Sequence, residues 1–173
     1  MSDYFKIGKI AGTHGISGQL VLVHSLGHQT SLKGLETIFI EKTKGSFLPY
    51  FLTETKIKNH TEVFLSIEGI TTREAARIFL KREIWLTQAD FKTFASPSAP
   101  ISLLGYMIID DKEEIGEIIE VIEQPHQILC KIMLDEKEAL IPLHEESLLK
   151  TDIKNRRVYV DIPEGLLDIY REA

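Results

Sequence analysis

Apolar residues in the first half of the chain recur in short alternating runs, and each run predicts a strand of about 5 to 8 residues. The runs are Phe5 to Ile10, Gln19 to His24, Glu36 to Lys42, Leu48 to Thr55, Glu62 to Ile67 and Glu83 to Leu86. Their number and spacing suggest a closed β-barrel. One helical pattern interrupts them: Thr71-Thr72-Arg73-Glu74 reads as a capping box opening Ala75 to Leu80. Ala75, Ile78 and Phe79 then share its inward face, and the helix is expected to plug one barrel mouth.

After Asp90 the pattern changes. Phe94-Ala95-Ser96-Pro97-Ser98-Ala99-Pro100 carries two prolines among small residues, predicting an extended, loosely packed linker over residues 91–100 between domains 1–90 and 101–173. Short strands then resume at Tyr106 to Ile109, Ile115 to Ile122, Ile128 to Leu134, Ala139 to Ile141 and Arg157 to Val160. Hairpin turns are expected at Asp110 to Glu114 and Asp152 to Arg156. Leu143 to Lys150 reads as a short helix with Leu148 and Leu149 inward, and Leu166 to Glu172 as a closing helical turn. The fold class is mostly β: two small barrels.

Composition narrows the chemistry. At 173 residues, 43% hydrophobic and 27% charged, the chain has an ordinary globular composition for two compact domains. Its apolar runs break well short of the roughly 20 residues a membrane helix needs, and its N-terminus lacks a secretory pattern, so a cytoplasmic location is expected. The single cysteine, Cys130, lies in phase with Ile128 and Ile132 and reads as a buried, inert thiol.

The net charge of −6 hides a division. Residues 1–92 hold 12 basic against 9 acidic side chains, net +3, whereas residues 93–173 hold 8 against 17, net −9. A mildly basic half suits RNA and a strongly acidic half suits a basic protein, although solubility charge accounts for the division equally well.

No catalytic constellation stands out. Gly12, His14, Gly15 and Gly18 would suit a phosphate loop only if a helix followed, and Gln19 to His24 is a strand. Neither a cofactor nor a metal is expected, since His24 and His28 run from strand into loop. His14 is either an RNA contact or a hydrogen-bonded structural residue. The adjacent carboxylates Asp110-Asp111, Glu113-Glu114 and Glu145-Glu146 read as a solvated acidic face.

Three stretches resemble the RimM ribosome maturation family in order along the chain. They are Gly8-Lys9-Ile10 with Gly12, His14-Gly15-Ile16 and Gly18; Glu68 to Ala76; and Leu140-Ile141-Pro142 with Asp152 to Val158 and Asp161 to Asp168. The resemblance covers nearly the whole chain. It implies a six-stranded N-terminal barrel similar to those of translation factors and a C-terminal PRC-type barrel. It also implies a non-enzymatic role: binding the free or maturing small ribosomal subunit through ribosomal protein S nineteen, and assisting head assembly and 16S rRNA processing.

One departure stands beside the likeness. The family commonly has two aromatic residues shortly before its second-domain Leu-Gly, whereas Ser98 to Leu103 before Leu104-Gly105 has none. Phe91 and Phe94 are upstream candidates to replace them, with linker packing as the alternative. The expected partner-binding residues are Lys9, His14, Gly15, Arg73, Phe91, Phe94, Glu145, Glu146 and Asp152 in a monomeric protein. Two other readings remain: a single-strand RNA binder using Tyr50, Phe51 and Lys56, and a hydrolase or isomerase using His14 with a carboxylate.

Overall fold

The computed structural model describes residues 3–172, which form two compact units, Asp3–Ala99 and the residues from Pro100 onward. In the first unit, strands β1 (Tyr4–His14), β2 (Gln19–His24), β3 (Thr37–Thr43), β4 (Ser46–Ile57), β5 (Glu62–Ile67) and β6 (Glu83–Thr87) close into a barrel. The strand order is β1-β2-β5-β4-β3-β6, and every pairing is antiparallel. Period-two alternation drives this closure by sending Ile7, Leu20, Leu22, Ile38, Val63, Leu65, Ile84 and Leu86 into the core, where each is fully buried. Each such burial is worth about 1.5–3 kcal/mol of transfer free energy.

Bulges at Lys6/Gly8 and Ile10/Gly12 bend β1 so that it pairs with both neighbours. Gly8 lies against β2 so closely that an added Cβ would sit 1.9 Å from the Val23 carbonyl oxygen. Bulges also let β4 extend well past the strand expected at Leu48 to Thr55, because it must span both β3 and β5.

The expected helix after Thr71 is shorter and faces differently. Helix α1 (Arg73–Ala76) lasts one turn before tightening into a 3-10 turn, Arg77–Phe79. Thr72 is the N-cap and its hydroxyl accepts from the Ala75 amide at 3.2 Å, so Ala75 occupies the position where a capping box needs an acid. Tightening rotates Ile78 outward, leaving it 66% exposed, while Ala76 and Phe79 are buried.

Residues 91–99 are also more ordered than a loose linker. Thr87 caps helix α2 (Gln88–Phe94), and beyond it the Ser96 amide donates to the Leu26 carbonyl at 2.8 Å. Ala99 is buried, and Gly27 approaches it so tightly that a Cβ on Gly27 would lie 2.1 Å from the Ala99 Cβ. Small residues here serve close packing rather than flexibility.

The second unit contains β7 (Met107–Asp110), β8 (Glu113–Gln124), β9 (Gln127–Leu134), β10 (Lys137–Leu143), β11 (Leu148–Asp152), β12 (Arg157–Val160) and α3 (Leu166–Glu172). Its six-stranded sheet has the order β10-β9-β8-β7-β12-β11, with β12 and β7 parallel and the other pairs antiparallel. Strand β8 bends at Ile118/Glu120, having paired with β7 in its first half and pairing with β9 in its second. The core gathers Ile108, Ile118, Cys130, Ile132, Ala139, Ile141 and Val158. Burial pushes the Cys130 thiol up to about 12, which removes the reactive thiolate at neutral pH.

The helix expected over Leu143 to Lys150 is absent. That stretch ends β10, turns, and begins β11, whose pairing with β12 supplies the backbone bonds a helix would have made internally. Leu148 and Leu149 accordingly point outward, 38% and 65% exposed. Among the described residues, no helix is long and apolar enough to cross a membrane.

Candidate functional site

The second unit carries a groove of ≈ 370 Å³ between the β8–β9 turn and the β10–β11 connection. Pro100, Leu103, Ile128, Leu143 and Leu148 give it apolar walls, and Glu123 and Glu145 stand among its polar lining. An adjoining hollow of ≈ 500 Å³ shares His126, His144 and Glu145 with the groove and adds Pro125 and Glu146.

The turn holding those acids is built by Ser147. Its buried hydroxyl accepts from the His144 amide at 3.1 Å and donates to the His144 carbonyl at 3.3 Å. The Leu148 amide donates to the same carbonyl at 3.0 Å, so Glu145 and Glu146 stand exposed at the apex. The arrangement suits a cationic segment bearing an apolar side chain, because the walls desolvate the apolar part while the carboxylates hold the charge.

Pro100 and Leu103 belong to a 3-10 turn, Pro100–Leu103, immediately before Leu104-Gly105. They thus occupy the stretch that carries aromatic residues in the family resembled above. The Arg156 guanidinium anchors the end of this turn by donating to the Leu104 carbonyl at 3.0 Å while lying 5.4 Å from the Tyr106 ring centre. Asp152 is spent on local structure: it accepts from both the amide and the side-chain nitrogen of Asn155, which hold its carboxyl below the usual range.

In the first unit, the β1–β2 connection uses Gly15 and Gly18 in left-handed conformations, at φ of 64° and 83°. An added Cβ on Gly18 would meet the Ile70 carbonyl oxygen at 2.7 Å, so this loop is packed onto the entry to α1. Exposed His14, Gly15 and Arg73 are thereby brought to one end of the barrel. Lys9 lies apart from them, exposed on β1 opposite Val23 and Glu83.

The two upstream phenylalanines differ. Phe91 is 5% exposed and packs on Phe5 with ring centres 5.0 Å apart, so its ring belongs to the core and leaves no surface for a partner. Phe94 is half-buried at the end of α2.

Tyr50 and Phe51 point in opposite directions. Tyr50 packs edge-on against Phe79 at 5.1 Å, while Phe51 is 54% exposed, so the grouping expected for an RNA groove does not form. A different pair does. His14 and Phe64 sit with ring centres 4.5 Å apart, and Phe64 pairs with Lys56 across β5 and β4. Fifty residues separate the two rings in sequence, and only the β1-β2-β5 strand order brings them together.

Comparison with known proteins follows the same division. The model described as RimM N-terminal domain matches residues 5–91, and that described as RimM PRC barrel domain matches residues 100–166. A ribosome maturation factor RimM from Parabacteroides distasonis is 32% identical, covering 96% of this chain and 97% of its own. Its counterpart from Phocaeicola vulgatus is 28% identical, covering 95% and 97%. A crystal structure of a RimM protein from Pseudomonas aeruginosa overlays with a TM-score of 0.42 at 21% identity, covering 92% of this chain and 97% of that one.

Proposed function

This chain belongs to the RimM family of ribosome maturation factors, a non-enzymatic family, and we propose that it acts by gripping a basic protein on the maturing small ribosomal subunit. In this reading the second unit holds ribosomal protein S nineteen of the subunit head, using the acid-lined groove beside Glu145 and Glu146. The first unit lies against 16S rRNA, and the two contacts assist head assembly and rRNA processing in the cytoplasm. Family membership displaces the hydrolase reading: exposed His14 rests on Phe64 instead of working with a carboxylate.

The charge division is the observation that carries the proposal. The residues from Pro100 onward hold 17 acidic against 8 basic side chains, while Asp3–Ala99 holds 9 against 12. The electrostatic break therefore coincides with the boundary between the two units. A net −9 surface attracts a cationic protein and repels RNA, which favours opposite partners for the two units.

Cosedimentation of the full chain with free small, free large and joined particles at rising salt tests this reading. The chain should select the free small particle, with affinity falling as salt screens the contact. Glu145→Lys combined with Glu146→Lys should weaken binding to isolated S nineteen about tenfold. Equal binding to both subunits, or affinity indifferent to those reversals and to salt, overturns the proposal.

A further inference from the structure

Gly12 closes the bulge at Ile10/Gly12 in β1, a position where glycine is common but no neighbour sterically requires it. It lies within β1 without a left-handed φ, and an added Cβ would meet nothing within 4 Å. A glycine inside a strand is less stable than alanine by roughly 0.5–1 kcal/mol, and besides accommodating the bulge its missing side chain leaves the backbone open to close approach by another molecule. Gly8, four residues earlier on the same strand, shows the contrast, because its Cβ would collide with β2.

What surrounds Gly12 has a definite chemistry. Pairing across β1, β2, β5 and β4 aligns Gly12, Val21, Phe64 and Lys56 in one row. Inward positions Leu20, Leu22, Val63 and Leu65 flank Val21 and Phe64, so this row lies on the outer side of the barrel wall, where Val21 is itself buried and Phe64 half-buried. His14, two residues beyond Gly12, is exposed and its ring lies against half-buried Phe64. Lys56 is exposed and makes no ion pair among the described residues, whereas nearby Lys58 is neutralised by Glu62 at 2.9 Å.

We infer that Gly12, His14, Phe64 and Lys56 form a stacking site for one unpaired RNA base. The Phe64–His14 pair supplies an aromatic surface, the bare Gly12 backbone lets the nucleotide come close, and Lys56 faces its phosphate. A duplex cannot use the site, since its bases are already stacked on one another. The inference rests on the proposal that the first unit lies beside rRNA and identifies the structural element of that RNA it takes: a flipped or single-stranded nucleotide.

The test titrates the full-length protein with a fluorescein-labelled single-stranded RNA octamer and with the same octamer annealed to its complement, following anisotropy and backbone amide shifts. Single-stranded RNA should shift Gly12, His14, Lys56 and Phe64 together, and the duplex should not. Phe64→Leu should weaken single-strand binding about tenfold. Gly12→Ala should weaken it several-fold without lowering Tm, which separates ligand approach from folding.

Shifts elsewhere, equal duplex binding, or full affinity in Gly12→Ala and Phe64→Leu would overturn the site. Cosedimentation of the same variants with small subunits separates the two readings. Wild-type chain that selects the small subunit but binds no isolated RNA loses this site alone; chain that does neither loses both.

Discussion

The two units solve the turn problem in opposite ways. In the first, the left-handed positions joining β1 to β2 and β3 to β4 are glycines: Gly15, Gly18 and Gly45. In the second, the two-residue turns joining β7 to β8 and β9 to β10 are Asp111-Lys112 and Asp135-Glu136, with all four residues at positive φ. Side chains in that region cost roughly 1–2 kcal/mol per residue, which glycine avoids. The second unit thus accepts backbone strain at hairpin turns that carry three carboxylates, whereas the first relaxes its β1–β2 and β3–β4 turns with glycine, its left-handed Leu32 and Lys81 lying outside them, and stays nearer charge balance. Charge placement outranks turn preference in the unit proposed to meet a basic protein.

The largest effect sharpening this contrast is expected in the first unit's core. Phe91→Ala should destabilise that unit by about 3–4 kcal/mol in chemical denaturation, because it empties the space against Phe5. A small stability loss with a large loss of partner affinity would instead make the ring an anchor. Gly8→Ala should follow at about 2–3 kcal/mol, since Val23 backbone must move to admit one methyl. Gly12→Ala on the same strand should cost nothing.

In the second unit the sign should reverse. Lys112→Gly should raise stability by about 1 kcal/mol by relieving a left-handed lysine, measured by denaturation. Unchanged or reduced stability would show that the turn is relaxed as it stands, breaking the comparison.

The smallest expected effect is a pH dependence confined to the first unit. Burial, aided by His28 and His60, holds His24 below the ordinary value of 6.5. The unfolded chain therefore binds the proton first, and the neutral form's stabilisation, complete above 6.5, is lost as pH falls from there toward the folded value. Its Nδ1 accepts from the Leu26 amide at 3.3 Å, a bond that protonation of that nitrogen breaks. Tm should fall modestly between about pH 7.5 and about pH 5.5, and His24→Gln should flatten that fall.

Strand positions were legible where alternation was clean, as at Glu62–Ile67, because one buried face per strand fixes both extent and orientation; Gln19–His24, buried on both faces at Leu20 to Leu22, was legible as a short apolar run. Full lengths of β4 and β8 were not, since a strand that changes partner at a bulge continues where its own pattern lapses. Leu143 to Lys150 misled because its apolar spacing suits a helix, and only pairing with β12, across the four-residue turn after Asp152, tips it to strand. The carboxylates Glu145 and Glu146 could be nominated from charge alone. Their companions Pro100, Leu103 and Leu148 could not, nor could Phe64 beside His14, because both groupings depend on which strands become neighbours.

The barrel seam between β3 and β6 is held by a single backbone pairing, Phe39 with Trp85, and overlaid by Phe47, whose ring centre is 5.1 Å from that of Trp85. Trp85 is the chain's one tryptophan, so emission excited at the red edge, where the second unit's Tyr106, Tyr159 and Tyr170 do not absorb, watches the first unit alone while far-ultraviolet dichroism records both. Melts followed by the two signals coincide only when the units unfold together; a fluorescence transition displaced from the dichroism one measures how far each half stands on its own.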